Sequence, residues 1–219
     1  MSPSEQHQSA RASLSEVVRE AWALGRGIDL SGVGYGRIHW GNQTDVLGDP
    51  LPYYYLLAGL ARLIGARNVI ELGTHHGGST KALAAGMGGE GQIITFDLKD
   101  DAKQLLVDYP TVQSHGMDAN SPEALQICRS ASDRWDLVYL DSQHDFFTTL
   151  VSFAIYGEFI RPLYVVMDDI ALNNEMREVW DFIRRRYEAI DASEIVRDIR
   201  PSDVGFGLVR IAAQPAAPS

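Results

Sequence analysis

Asn68-Val69-Ile70-Glu71-Leu72-Gly73-Thr74-His75-His76-Gly77-Gly78-Ser79 is the stretch on which the reading of this chain turns. Asn68 to Leu72 reads as a buried strand, and a helix is expected from Ser79 to about Met87. In the loop between them, Gly73, Gly77 and Gly78 let backbone approach a ligand with no Cβ in the way, and Glu71 supplies an acceptor. Doubly wound sheets bind ligands at such a place, beyond the carboxyl ends of their strands. The spacing is Gly73-x-x-x-Gly77, whereas a dinucleotide site wants G-x-G-x-x-G with a helix N-terminus facing the pyrophosphate.

Downstream, strands and helices alternate. Strands are expected at Gln92 to Asp97, Val112 to Gly116, Leu137 to Leu140 and Leu163 to Met167. Helices are expected near Asp101 to Asp108, Pro122 to Ser130, Phe146 to Ile160 and Asn174 to Tyr187. Continuously apolar strands separated by helices imply a parallel sheet covered on both faces. Two further strands, near Glu194 to Ile199 and Gly205 to Ile211, flank the turn-rich Arg200-Pro201-Ser202-Asp203. They are too close in sequence for a crossover helix, so the last should run antiparallel to its neighbour. The expected fold is α/β, a Rossmann-like doubly wound sheet, mostly parallel with a final antiparallel strand.

Upstream lies a helical extension. Leu14 to Leu24 has helical periodicity and a capping box in Ser13 and Glu16, and a second helix is expected from Pro52 to Ile64. Between them, Gly32 to Pro52 is irregular and holds Tyr35, His39, Trp40, Asn42 and Gln43, a segment that could close over a site. Residues 1–12 and 212–219 read as frayed tails around a single domain, 13–211.

The chain has 219 residues, 45% of them hydrophobic, enough for one sizeable core. Its formal charge of -10 repels a phosphate backbone, and the one dense basic run, Arg184-Arg185-Arg186, reads as the solvated side of a helix, so nucleic acid is not an expected partner. A single cysteine, Cys128, excludes an intramolecular disulfide and a thiolate zinc cluster and fits a reducing cytoplasm. No apolar run reaches the ~20 residues of a membrane span, so a membrane is not expected either. The aromatic N-terminal part could form a homodimer contact.

Two strand ends carry the acids. Trp135-Asp136-Leu137-Val138-Tyr139-Leu140-Asp141 ends in one carboxylate and Val165-Val166-Met167-Asp168-Asp169 in two. Neighbouring parallel strands would bring the three together, which is costly unless a cation or a proton joins them. Hard oxygen ligands favour Mg²⁺, Ca²⁺ or Mn²⁺ over zinc.

Glu71-x-Gly73-x-x-x-Gly77 resembles the first motif of class I S-adenosylmethionine (SAM)-dependent methyltransferases, and the likeness runs from about Trp40 to Ile211. It implies that Glu71, Gly73, Thr74, Gly77 and Ser79 surround the methionine and ribose part of SAM, that Asp97 accepts from the ribose hydroxyls and that Asp118 reads the adenine amino group. The acids resemble those of metal-dependent small-molecule O-methyltransferases of the catechol, caffeoyl and macrolide-sugar types. That resemblance makes Asp141, Asp168 and Asp169 the ligands of Mg²⁺ or another divalent cation. In the catechol type a lysine stands where this chain has His144; Asp-x-x-His here is similar to the macrolide-sugar and cephalosporin-hydroxylase-like groups. With an ordinary pKa near ~6.5, His144 can act as a base at neutral pH, beside Asp141.

The function so implied is O-methylation of a hydroxylated small molecule, a sugar or phenol of secondary metabolism. Cephalosporin-hydroxylase-like chemistry in the same site and a non-catalytic SAM-binding partner module are the alternatives. An NAD-dependent oxidoreductase fits less well, lacking the glycine spacing and a substrate domain. Fold analogy does not decide among them, because function lives in the site.

Overall fold

Ser13 opens the first helix, α1 (Leu14–Gly25), as a true capping box: its hydroxyl accepts from Glu16 N while the Glu16 carboxylate accepts from Ser13 N. The computed structural model describes residues 12–33, 51–99, 102–196 and 204–211. The Tyr35 to Gln43 segment, the outer tails and the Arg200 to Asp203 turn lie outside these. Helix α2 (Pro52–Leu63) starts on a proline, whose missing N–H would be unbonded there in any case. It crosses α1 where Gly25 and Gly59 meet, each with its Cα against backbone of the other helix.

The remaining elements are β1 (Asn68–Leu72), α3 (Gly78–Met87), β2 (Gln92–Asp97), β3 (Val112–Gly116), α4 (Pro122–Ala131), β4 (Leu137–Leu140), α5 (Phe146–Ser152), β5 (Tyr164–Asp168), α6 (Asn174–Arg184), β6 (Glu188–Asp191), α7 (Ser193–Val196) and β7 (Phe206–Arg210). Among the described residues, seven strands form one sheet in the order β3-β2-β1-β4-β5-β7-β6. β7 runs antiparallel to both its neighbours and the other pairings are parallel. The doubly wound, mostly parallel sheet with a final antiparallel strand is thus as expected. Order reverses between β1 and β4, so the crevice opens over their carboxyl ends.

Side chains alternate along each strand into two apolar layers. Val69, Ile93, Leu137 and Val166 pack under α1, α2 and α3. Ile70, Leu72, Ile94, Val138, Val165 and Met167 pack under α4, α6 and the segment after α5.

Three local expectations change. The helix expected near Asp101 to Asp108 is only a 3₁₀ turn, Lys103–Leu106, among the described residues. The helix from Phe146 widens after Ser152 into π-turns over Phe153–Phe159, with Ile160 N donating to Ile155 O at 3.0 Å. Among the described residues the penultimate strand is Glu188–Asp191, and the described part of the expected Glu194 to Ile199 strand, up to Val196, lies instead in a helical turn, Ser193–Val196. The reason is pairing with β7: Glu188 lies opposite Arg210, and their side chains form an ion pair at 2.8 Å. Asp191 Oδ1 then accepts from Ser193 N at 2.9 Å, bending the chain out of the sheet.

Candidate active site

The register β2-β1-β4-β5 sets Thr95, Glu71, Tyr139 and Val166 side by side in one row. Polar side chains in this row face the layer under α2 and α3. Glu71 is fully buried. Its Oε2 accepts from Thr95 Oγ1 at 2.6 Å and from Thr80 Oγ1, while Oε1 has no hydrogen-bond partner among the described residues. Burial pushes its pKa up to about 7, against the opposing pull of the Ser79, Thr80 and Thr95 hydroxyls. Glu71 therefore underpins the glycine loop from inside, and Thr74 joins the same network through Thr95 Oγ1 at 2.6 Å.

The loop above it is pinned by backbone. His75 N donates to Asp97 Oδ2 at 2.8 Å, and Gly73 N donates to Phe96 O at 2.8 Å. Gly73 has φ 98° and its Cα faces the Asp141 carbonyl so closely that a Cβ would overlap it; Gly77, at φ 75°, caps α3 in the left-handed region. Ser79 is buried in the first turn of α3. Asp97 takes His75 N on one oxygen and Lys99 N on the other at 3.0 Å, and it remains partly exposed at the crevice. Close backbone with a partly exposed carboxylate at its rim makes a cradle that could hold a ligand bearing vicinal hydroxyls, such as a nucleoside ribose. Asp118 is exposed: its Oδ1 accepts from Asn120 N at 2.9 Å, and the cap of α4 is Ser121.

The acids meet across the β4 and β5 ends. His144 Nε2 lies 3.1 Å from Asp169 Oδ2 and 3.4 Å from Asp141 Oδ1, aligned for a hydrogen bond with neither. One ligand atom from each of Asp141, His144 and Asp169 lies within 4.8 Å of the others, a grouping that could hold a metal ion. Asp169 reaches this point from a left-handed backbone, φ 56°, which aspartate tolerates better than most residues. Asp168 stands behind. Its Oδ2 accepts from the Tyr139 hydroxyl at 2.8 Å and its Oδ1 from Asp169 N at 2.9 Å.

Burial raises the pKa of Asp141 and, well above the ordinary value, that of Asp168, where the neighbouring carboxylates add to it. Asp169 is raised to about 6 by burial, the His144 charge pulling the other way and Asp141 adding to the rise. Burial lowers His144, but Asp141, Asp169 and Asp145 outweigh it and the net shift is upward. An excess of negative charge that only protons relieve is what a hard cation would relieve instead.

Two more elements close the site. Asn173 Nδ2 donates to His144 O at 2.8 Å, and Phe146 N donates to Glu175 Oε2 at 2.8 Å, tying the loop after β4 to the start of α6. From α2, Tyr53 stacks on Phe206 at 5.3 Å between ring centroids. The Tyr53 hydroxyl is held protonated, first by burial and then by Asp168 and Asp141. Sequence reading missed Tyr139, Thr80, Thr95 and the Asn173 tie. The available signal for Tyr139 was a polar residue inside an apolar strand, two positions before Asp141 and so on the same face.

Sheet order, antiparallel β7 and a glycine loop after β1 together define the fold of class I SAM-dependent methyltransferases. Residues 54–152 match the model of a family described as O-methyltransferase. That stretch carries the glycine loop, Asp97, Asp118, Asp141 and His144. Among solved structures, an O-methyltransferase from Bacillus cereus in complex with S-adenosylhomocysteine is 16% identical, covering 90% of each chain with a TM-score of 0.56. TomG from Streptomyces achromogenes, an O-methyltransferase involved in tomaymycin synthesis and solved with SAM, is 20% identical over 89% of this chain and 96% of its own, with a TM-score of 0.60. MycE, a methyltransferase of mycinamycin biosynthesis solved with Mg and S-adenosylhomocysteine, is 19% identical over 86% of this chain and 57% of its own, with a TM-score of 0.53. No curated protein matches the sequence. The resemblance to SAM-dependent O-methyltransferases thus rests on both the sheet and the matched stretch. Among the described residues, no helix is long and apolar enough to cross a membrane.

Proposed function

We propose that this chain transfers the methyl group of SAM to a hydroxyl oxygen of a small molecule, with a divalent cation at the ends of β4 and β5. The observation that carries the reading is the cluster of Asp141, His144 and Asp169, set directly against the glycine loop through the Gly73 contact with Asp141. The Gly73 loop and Asp97 would hold the cofactor, and Asp141 and Asp169 would hold the ion, with Asp168 behind them fixed by the Tyr139 hydroxyl and Asp169 N. A bound cation lowers the pKa of a ligated hydroxyl, and SAM offers a methyl carbon on a sulfonium sulfur. His144 Nε2 would take the hydroxyl proton as the methyl group passes from sulfur to oxygen, with S-adenosylhomocysteine as the leaving group. Asp141 and Asp169 then stabilise the imidazolium. TomG and MycE, both attached by name to natural-product syntheses, support an acceptor of that kind, a sugar or phenol.

The position of His144 Nε2 within the same cluster favours a second reading, in which His144 is itself a ligand. Calorimetric titration with S-adenosylhomocysteine, then with Mg²⁺ after chelation, tests the first reading, and His144→Asn separates the two. As a base, His144 is lost with a fall of about 10²–10⁴-fold in kcat and unchanged Mg²⁺ affinity; as a ligand, it is lost with the Mg²⁺ heat. Absence of S-adenosylhomocysteine binding overturns both.

A further inference from the structure

The Tyr139 hydroxyl stands between two of the acids. It lies 2.8 Å from Asp168 Oδ2 and 3.2 Å from Asp141 Oδ2, on a side chain with no exposure to solvent. Asp141 is thereby divided: Oδ2 faces the hydroxyl, and Oδ1 faces His144 at 3.4 Å. Asp168 has one oxygen on the hydroxyl and the other on Asp169 N. The strand dictates this arrangement, because Tyr139 precedes Asp141 by two residues and shares its face, while the parallel β5 brings Asp168 alongside. A phenylalanine would fill the same apolar volume, so packing gives no reason for the hydroxyl.

We propose that Tyr139 is a positioning residue for the ion site, its hydroxyl joining Asp141 to Asp168 so that Asp141 presents Oδ1 to the crevice. This rests on the metal-dependent reading above. Outer hydrogen-bond partners of ligating carboxylates fix their orientation, and losing one costs about 10–100-fold in metal affinity. Tyr139 is fully buried and its hydroxyl reaches the site through Asp141 and Asp168, so its effect is expected on the ion and not on SAM.

The test is calorimetric titration of the full chain with Mn²⁺, for the wild type and Tyr139→Phe, with S-adenosylhomocysteine affinity measured on the same samples. The expected result is Mn²⁺ affinity weakened about tenfold or more with S-adenosylhomocysteine affinity unchanged. Equal Mn²⁺ affinity in the two proteins overturns the role of Tyr139 and leaves the metal reading standing. A wild type that binds no Mn²⁺ overturns both. If Tyr139→Phe loses S-adenosylhomocysteine as well, near-ultraviolet tyrosine absorbance of the wild type, followed during Mn²⁺ titration, decides the matter. A cation placed beside the hydroxyl's acceptors changes the field on the phenol ring, so the spectrum is expected to change; a flat trace through a calorimetrically proven transition overturns the proposal.

Discussion

Glu71 is fully buried, with three threonine and serine hydroxyls for company. With its folded pKa near 7 against an ordinary 4.5, the folded protein keeps a proton that the unfolded chain releases. Stability from this group is therefore full below 4.5, declines as pH rises and is gone above about 7. The difference corresponds to about 3 kcal/mol at roughly 1.36 kcal/mol per pKa unit. Glu71→Gln is expected to lose this slope, with urea unfolding midpoints that vary less with pH across the same window. An unchanged slope would assign the dependence to the strand-end aspartates. The role of Glu71 was only half legible in the sequence. Its place beside the glycines was plain, but its direction follows from the partners Thr80 and Thr95, and a partner on the neighbouring strand is invisible until the register is known.

Loops after β4 and β5 act as one unit because Asn173 works at both. It caps α6 through Met176 N at 2.8 Å and grips the His144 carbonyl with its amide. Asn173→Asp keeps an acceptor for the cap and loses the donor. It is expected to unfold like the wild type, yet to turn over more slowly as the His144 loop slackens. Asn173→Ala, losing both, should also cost about 1 kcal/mol in unfolding. Equal kcat for Asn173→Asp and wild type would show the tie to be idle. At this scale the sequence was a good guide to the strands buried along most of their length, β1, β2, β4 and β5. It misled at β6, where Glu188-Ala189-Ile190-Asp191 is partly exposed at the sheet edge and continues a helix-like pattern from Trp180. Only the pairing with Arg210 turns those residues into a strand, and no local propensity encodes it.

The molecule as a whole carries a charge of -10, and three of its acids are crowded into one sheltered spot. A cation bound there by the native state alone stabilises it by about 2.7 kcal/mol at a hundred times its Kd. For a chain of this size that amounts to roughly 5–10 °C in melting temperature. Mg²⁺ is expected to raise the melting temperature of the wild type and to leave Asp169→Asn where it was; an equal rise in both would place the ion elsewhere. Fold class and the acids of the site were readable ahead of the structure because both follow from one-dimensional patterns, whereas the joining of His144 to Asp169 depends on a left-handed residue that no pattern marks. The bare Cα of Gly73 against the Asp141 carbonyl has a last consequence. Main chain alone sets the stride between the glycine loop and the acids, and only a side chain added at Gly73 itself would stretch it. Any widening of the range of acceptors must therefore come from the outer walls, while the reach of the chemistry stays constant.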